Sequence, residues 1–149
     1  MKWLIALFVL LLPLLVVPAP ARDEKESDAE KALKEDLRKL QGKWEYTFKE
    51  GEANAGIHKV KEIKDNKETV TWYDPDGKVL LVNEVDFKLE RKGKLRIFSW
   101  SNGKVVEGEL KGATFEDGSF VYELDGDEWT EMLPVGDAKI VWKRVKEKK

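Results

Sequence analysis

From residue 43 onward, apolar and polar positions alternate in short runs that are separated by turn-forming residues. Trp44, Tyr46 and Phe48 alternate with polar residues, and this period of two is typical of a half-buried β-strand. Residues 51 to 66 alternate less regularly, and there we expect a bulged or irregular strand. The remaining predicted strands are Lys67–Tyr73, Val79–Leu89, Leu95–Trp100, Val105–Leu110, Phe120–Leu124, Trp129–Leu133 and Ile140–Val145.

The turns between these runs indicate hairpins. Asp76-Gly77, Asn102-Gly103 and Asp125-Gly126 are pairs that tolerate positive φ, as tight hairpin turns require, and Lys92-Gly93 and Asp117-Gly118 are weaker signals. About eight or nine strands joined in this way predict an all-β protein with a single antiparallel up-and-down barrel of lipocalin or calycin type. A sandwich is the alternative, but it would show longer crossover connections.

The pattern before residue 42 is helical and strongly charged. Ser27 and Glu30 have the spacing of a capping box, and Leu33, Leu37 and Leu40 form a narrow apolar stripe. We expect one amphipathic helix within residues 22–41 that ends near Gly42 and covers a larger body. The sequence leaves open whether this helix closes the barrel mouth or packs on its side. The barrel domain is expected to span residues 42–149.

The first residues have the pattern of a signal peptide. Lys2 precedes an apolar run from Trp3 to Val17, and a small-residue cleavage site follows. We expect residues 1–21 to be removed by cleavage after Ala21, which would place the protein outside the cytoplasm, secreted or periplasmic. An uncleaved membrane anchor is the alternative. It is disfavoured because Pro13 interrupts a run shorter than the roughly 20 residues of a spanning helix, so we expect no stable membrane insertion.

Charge and cysteine content exclude several classes of function. The 149 residues include 27 basic and 29 acidic side chains, and loss of Lys2 with the leader would change the net charge from −2 to −3. This near-neutral mixture shows no nucleic-acid-binding pattern. The absence of cysteine excludes disulfides, thiol catalysis and cysteine-ligated metals. We expect a monomer that is stabilised by its apolar core.

Two motifs resemble those of a known family. Gly42-Lys43-Trp44 is similar to the G-x-W segment that opens the first strand of lipocalins, and Arg144 has a matching place near the last strand. A guanidinium over the indole of Trp44 would form a cation–π contact. Tyr122 to Asp127 matches a Y-x-L-D-G-D hairpin of uncharacterised exported bacterial proteins with a lipocalin-like domain. This resemblance, over residues 33 to 145, implies a fold and structural roles for Gly42, Trp44 and Arg144. It brings no activity, and the short barrel implies little room for a ligand.

The sequence contains no recognisable catalytic apparatus. His58 is the single histidine, and we interpret it as a surface strand residue. One histidine also cannot form a clustered metal site. Carboxylates near turns could in principle cut glycosidic bonds or bind calcium, but turn geometry explains them and their spacing matches no calcium loop. We therefore expect no enzyme activity, metal or cofactor. These carboxylates are Asp74, Asp76, Asp117, Asp125, Asp127 and Glu128.

The aromatic residues give the most specific functional hypothesis. Five tryptophans remain outside the leader, and core packing is one explanation for them. A pocket for a small apolar molecule and an exposed face that stacks on sugars are the others. The candidate pocket residues are Tyr46, Trp72, Phe98, Trp100 and Tyr122. We therefore predict a non-enzymatic binding protein; the alternative is a solid-cored structural module that interacts with other proteins or the cell envelope.

Overall fold

The computed structural model describes residues 27–133 and 139–146, so the predicted signal peptide lies outside the described residues. A helix, α1, spans Asp28–Leu40 and is followed by nine strands. The strands are β1 (Gly42–Thr47), β2 (His58–Lys64), β3 (Lys67–Tyr73), β4 (Val79–Lys92), β5 (Leu95–Gly108), β6 (Thr114–Phe115), β7 (Gly118–Asp125), β8 (Glu128–Met132) and β9 (Lys139–Arg144).

The strands form one closed antiparallel barrel, which confirms the predicted fold class. Consecutive strands pair along the sheet, and closure requires β1 to pair with β9 and β4 to pair with β5. Eight strands make the barrel wall, while the two-residue β6 lies beside β5. Closure leaves these eight strands without the free edges that would invite intermolecular pairing.

The helix α1 begins at the predicted capping box. Ser27 and Glu30 bond each other's backbone amides, at 2.8 Å and 3.2 Å between heavy atoms. Leu40 is fully buried in the barrel core, and Leu37 packs against the same cluster. The sequence therefore correctly indicates a covering helix. Among the described residues, no helix combines the length and the apolar character needed to cross a bilayer.

Two predicted elements are wrong. Asn102-Gly103 is not a hairpin turn, because β5 continues through it and the positive φ of Asn102 accompanies a register shift against β4. The predicted irregular strand within residues 51 to 66 is the regular strand β2, preceded by turns. The side chains of Lys59, Lys61 and Ile63 are buried there, so the inward face of β2 contains two of its lysines.

The G-x-W segment closes the helix-proximal end of the barrel. Gly42 has a φ of +104°, a conformation that side chains rarely adopt, and this lets β1 start directly after α1. The indole of the fully buried Trp44 donates a hydrogen bond to the carbonyl of Leu40, with 2.8 Å between heavy atoms. The guanidinium carbon of Arg144 lies 4.1 Å from the centroid of the Trp44 ring, and Arg144 donates to the carbonyl oxygens of Gln41 and Lys39.

A buried carboxylate attaches α1 to the far side of the barrel. Asp36 is only 3% exposed; its Oδ2 accepts a hydrogen bond from the Tyr122 hydroxyl at 3.1 Å and lies 3.2 Å from Nε of Arg96. Burial and the neighbouring Asp36 together raise the pKa of Tyr122, so this hydroxyl stays a donor. Since Tyr122 belongs to β7 and Arg96 to β5, α1 lies across one end of the barrel.

Replacing Asp36 with alanine is expected to lower the free energy of unfolding by about 2–3 kcal/mol, because it removes charge-assisted bonds and leaves Tyr122 and Arg96 without their acceptor. Urea unfolding followed by circular dichroism measures this change. Glu35→Ala is the matched control, since it removes an exposed carboxylate one residue away and should change stability little. Equal losses in the two variants would contradict the proposed role of Asp36.

Candidate functional site

The interior of the barrel is solid at the end covered by α1. Phe98 stacks between Phe87 and Phe120, with ring centroids 4.4 Å and 4.8 Å away. Trp129 meets Trp44 edge to face at 5.6 Å. These rings interdigitate as the side chains of a folded core do, so this half of the barrel has a structural role.

A cavity of about 200 Å³ occupies the opposite half of the barrel and opens to solvent. Its wall combines aromatic and aliphatic side chains with a cluster of charged groups. The lining residues are Lys59, Lys61, Glu68, Val70, Trp72, Asn83, Val85, Trp100, Phe115, Phe120, Glu131, Leu133, Ile140 and Trp142. Apolar walls with a few convergent polar groups are typical of small-molecule sites.

A buried lysine lies between two buried carboxylates at the base of the cavity. The ammonium nitrogen of Lys61 donates a hydrogen bond to Glu131 Oε1 and lies 2.9 Å from Glu68 Oε2. Glu68 is thus held to Lys61 by a buried ion pair. The same ammonium lies 4.2 Å from the Trp129 ring centroid and 4.4 Å from that of Trp142. Lys61 is therefore neutralised and enclosed by its own barrel.

One ammonium cannot fully compensate two carboxylates. Burial by itself would lower the pKa of Lys61, but Glu131 and Glu68 outweigh burial and hold this pKa above its usual value. Burial raises the pKa of Glu68, and the neighbouring Glu131 adds to this effect while Lys61 opposes it. The three residues therefore favour a charged Lys61 and a Glu68 that binds a proton more readily than usual.

Lys59 lies above this cluster and is held differently. Its ammonium nitrogen lies 3.5 Å from the Trp72 ring centroid and 4.6 Å from that of Phe48. Among the residues that the structure describes, it forms no ion pair or hydrogen bond, although it is only 7% exposed. Burial, together with the like charge of Lys61, lowers the pKa of Lys59 to about 8. Lys59 is thus a desolvated cation that ring faces and the more distant charge of Glu131 stabilise, without a direct counter-ion among the described residues.

The structure brings two of the five predicted pocket residues to the cavity. Trp72 and Trp100 line it, and the Trp100 ring lies so close to Gly118 that a Cβ on that residue would meet it at 2.2 Å. Phe98 lies in the solid stack, and Tyr122 reaches toward α1. Tyr46 packs against the core near Trp142 but does not line the cavity, and its hydroxyl bonds Glu52.

Sequence reasoning did not identify the charged residues of the cavity. Glu68 precedes Val70 and Trp72 at intervals of two, so strand alternation could have placed it on their inward face. Lys59 and Lys61 lie on the same face of β2 as Ile63. Val60 lies on the other face, so the apolar residues did not show which face of this strand points inward. Glu131 follows Trp129 in the same way on β8. The sequence pattern that could have revealed the site is a charged residue at the alternate positions of a strand that otherwise hold apolar, inward-facing side chains.

The other features of the described surface do not form a comparable site. A groove of about 740 Å³ lies outside the barrel around the β2–β3 hairpin, but most of its lining residues are charged or polar, and Lys67 there pairs with Asp86 at 2.9 Å. His58 faces away from the cavity, and its Nδ1 lies 3.0 Å from the Thr47 hydroxyl. Within the described ranges, no three His, Cys, Asp or Glu side chains group as a metal site would require.

Comparisons with protein-family models, curated proteins and solved structures found no match to this chain. The closed barrel is compatible with a lipocalin-like protein, and the arguments about function rest on the site itself.

Proposed function

We propose that this protein is an exported, non-enzymatic binding protein that takes a small ligand into the open half of its barrel. The observation that carries this proposal is the cavity of about 200 Å³, which has aromatic walls, a charged base and an opening to solvent. A roughly 150 Å³ apolar cavity is large enough to hold benzene, so this cavity accommodates a ligand with a body about the size of one ring.

The composition of the cavity supports binding through burial. Trp72, Trp100 and Phe115 offer apolar ring surface, and each Å² of apolar area removed from water contributes about 25 cal/mol. Export is proposed from the leader pattern of residues 1–21, and the lipocalin-like assignment is proposed from the G-x-W and Y-x-L-D-G-D segments. The absence of a chemical step is proposed because Lys61 already engages Glu68 and Glu131, and because His58 lies outside the cavity.

A solid-cored module that acts through its surface is the second candidate. The close-packed half of the barrel favours it, as do exposed apolar residues such as Leu110, which is 65% exposed. Such a module would leave the cavity empty in the cell and would bind its partner through outward-facing side chains.

Native mass spectrometry distinguishes the two candidates. The full chain is expressed with its leader and purified without denaturation. We expect a mass above that of residues 22–149 that disappears on denaturation. Val85→Phe, which fills the cavity, should abolish the added mass, whereas Val121→Phe on the outward face of β7 should retain it. A bare wild-type mass that does not increase after incubation with an envelope extract would favour the surface module.

A further inference from the structure

We propose that Lys59 receives the negatively charged group of the ligand, so that the barrel selects small organic acids whose apolar body fits one aromatic-walled cavity. This inference rests on the proposed function and names its ligand class. It follows from the charges that face the cavity, from their partners and from the space around them.

Lys59 lines the cavity and has no counter-ion among the residues that the structure describes. Its ammonium lies among the faces of Trp72 and Phe48, and no described carboxylate comes within ion-pair distance. Removing an ammonium from water without a partner is costly, and ring faces return only part of that cost. A carboxylate in the cavity would complete the site, because it supplies both the missing charge and the missing acceptors.

The other charges of the cavity disfavour a cationic ligand. Glu68 and Glu131 already share the ammonium of Lys61, which is fully buried beneath them. A second cation would have to displace Lys61 and would also lie close to Lys59. At Lys59 an anion would be attracted by Lys59 and by Lys61 on the same strand, while the opposing charge of Glu131 on β8 is already paired with Lys61.

The wall also contains a second donor. Trp142 lines the cavity, and its indole N–H is buried without a hydrogen-bond acceptor among the described residues. Buried polar groups are normally satisfied, so this donor is available to an acceptor that a ligand or a water molecule brings close to the Trp142 ring. A carboxylate has two oxygens and can serve more than one donor.

Three probes that share one body and differ in charge test this inference. They are 3-phenylpropionate, its neutral amide 3-phenylpropionamide and the cation 3-phenylpropylamine, each titrated into the purified full chain by isothermal calorimetry at pH 7. We expect the acid to bind about tenfold or more tightly than the amide, since a hydrogen bond to a charged group is worth roughly a factor of ten or more. The amine should bind most weakly.

Variants then test the role of Lys59. Lys59→Gln should remove the preference for the acid over the amide, Lys59→Arg should keep it, and the exposed control Lys64→Gln on the same strand should leave it unchanged. Affinity of the wild type for the acid should fall as pH rises above about 8, where Lys59 loses its proton while Lys61 retains its charge. Lys59→Gln should fold, because it removes a desolvated charge.

Other outcomes separate this inference from the proposed function. Equal binding of acid, amide and amine, or an acid preference that survives Lys59→Gln, would overturn the role of Lys59 and leave a binding barrel. Tightest binding of the amine would assign the ligand to the carboxylates instead. If none of the three binds at 10 mM, the organic-acid class is wrong, and the native mass measurement decides separately whether the cavity holds any ligand.

Discussion

Replacing Lys61 with methionine is expected to lower the free energy of unfolding at pH 7 by about 3–5 kcal/mol. Methionine is one heavy atom shorter than lysine and has a similar volume, so the loss comes mainly from the missing charge and little from empty space. Glu68 and Glu131 would stay buried without the ammonium between them, and breaking a buried ion pair from one side costs several kcal/mol. Urea unfolding measures the effect. The exposed Lys64→Met on the same strand should change stability little.

The pH dependence of Lys61→Met has a definite sign. Without the ammonium, burial and the neighbouring Glu131 would hold the pKa of Glu68 in the folded variant still further above its unfolded value of about 4.3. The folded variant then binds more protons than the unfolded chain, so its stability falls as pH rises through the folded pKa of Glu68 and recovers toward pH 4. Adding Glu68→Gln and Glu131→Gln should restore much of the loss at pH 7. A loss below 1 kcal/mol for Lys61→Met would show that this cluster is hydrated.

Trp44→Ala is expected to destabilise the barrel by about 3–5 kcal/mol, the usual cost of truncating a buried aromatic residue. The fully buried indole fills the closed end, contacts Trp129, bonds the carbonyl of Leu40 and supports Arg144. Its removal opens a space that the short connection through Gly42 cannot collapse to fill. Thermal and urea unfolding followed by near-UV circular dichroism give the measurement.

Trp72→Ala is the matched substitution at the other end of the barrel. Trp72 is half-buried beside a cavity that already opens to solvent, so its removal enlarges that opening and should cost only about 1–2 kcal/mol. The prediction is that Trp44→Ala lowers the free energy of unfolding more than Trp72→Ala does. Similar losses would mean that the two ends of the barrel are packed alike, contrary to the structure.

The fold could be predicted from sequence because local signals agree with one another. The Ser27–Glu30 capping box, the alternating Trp44 and Tyr46, and the Asp76-Gly77 turn each act over a few residues. The prediction of a hairpin turn at Asn102-Gly103 was wrong for a physical reason. The positive φ that suits a hairpin also suits a bulge, and long pairing between β4 and β5 selects the bulge. Tertiary pairing therefore decided an ambiguity that the dipeptide left open.

The site was harder to predict because its charges occupy positions where burial normally excludes them. Aromatic residues pointed to the interior, and Trp72 and Trp100 do line the cavity. A lysine in a strand usually faces solvent, so nothing in the sequence marked Lys59 and Lys61 as inward-facing. The inward position of Lys61 depends on Glu68 and Glu131, and Lys61 and Glu131 are 70 residues apart in the chain. Lys59 instead lies against the rings of Trp72 and Phe48. No local pattern encodes such a pairing.

The junction of β1 with β9 has a consequence for how the chain reaches its native state. In the described part of the chain, Trp44↔Arg144 and Glu45↔Lys143 are the residue pairs of this junction, and the Val145 N–H also donates to the carbonyl of Lys43, so contacts about 100 residues apart in sequence complete the circle. Such distant contacts give a high contact order, which is typical of domains that fold in milliseconds to seconds. Bringing these distant segments together costs conformational entropy, and this cost comes before the contacts between β1 and β9 can stabilise the fold. We therefore expect the β1–β9 pairing, which Arg144 supports, to form late in folding.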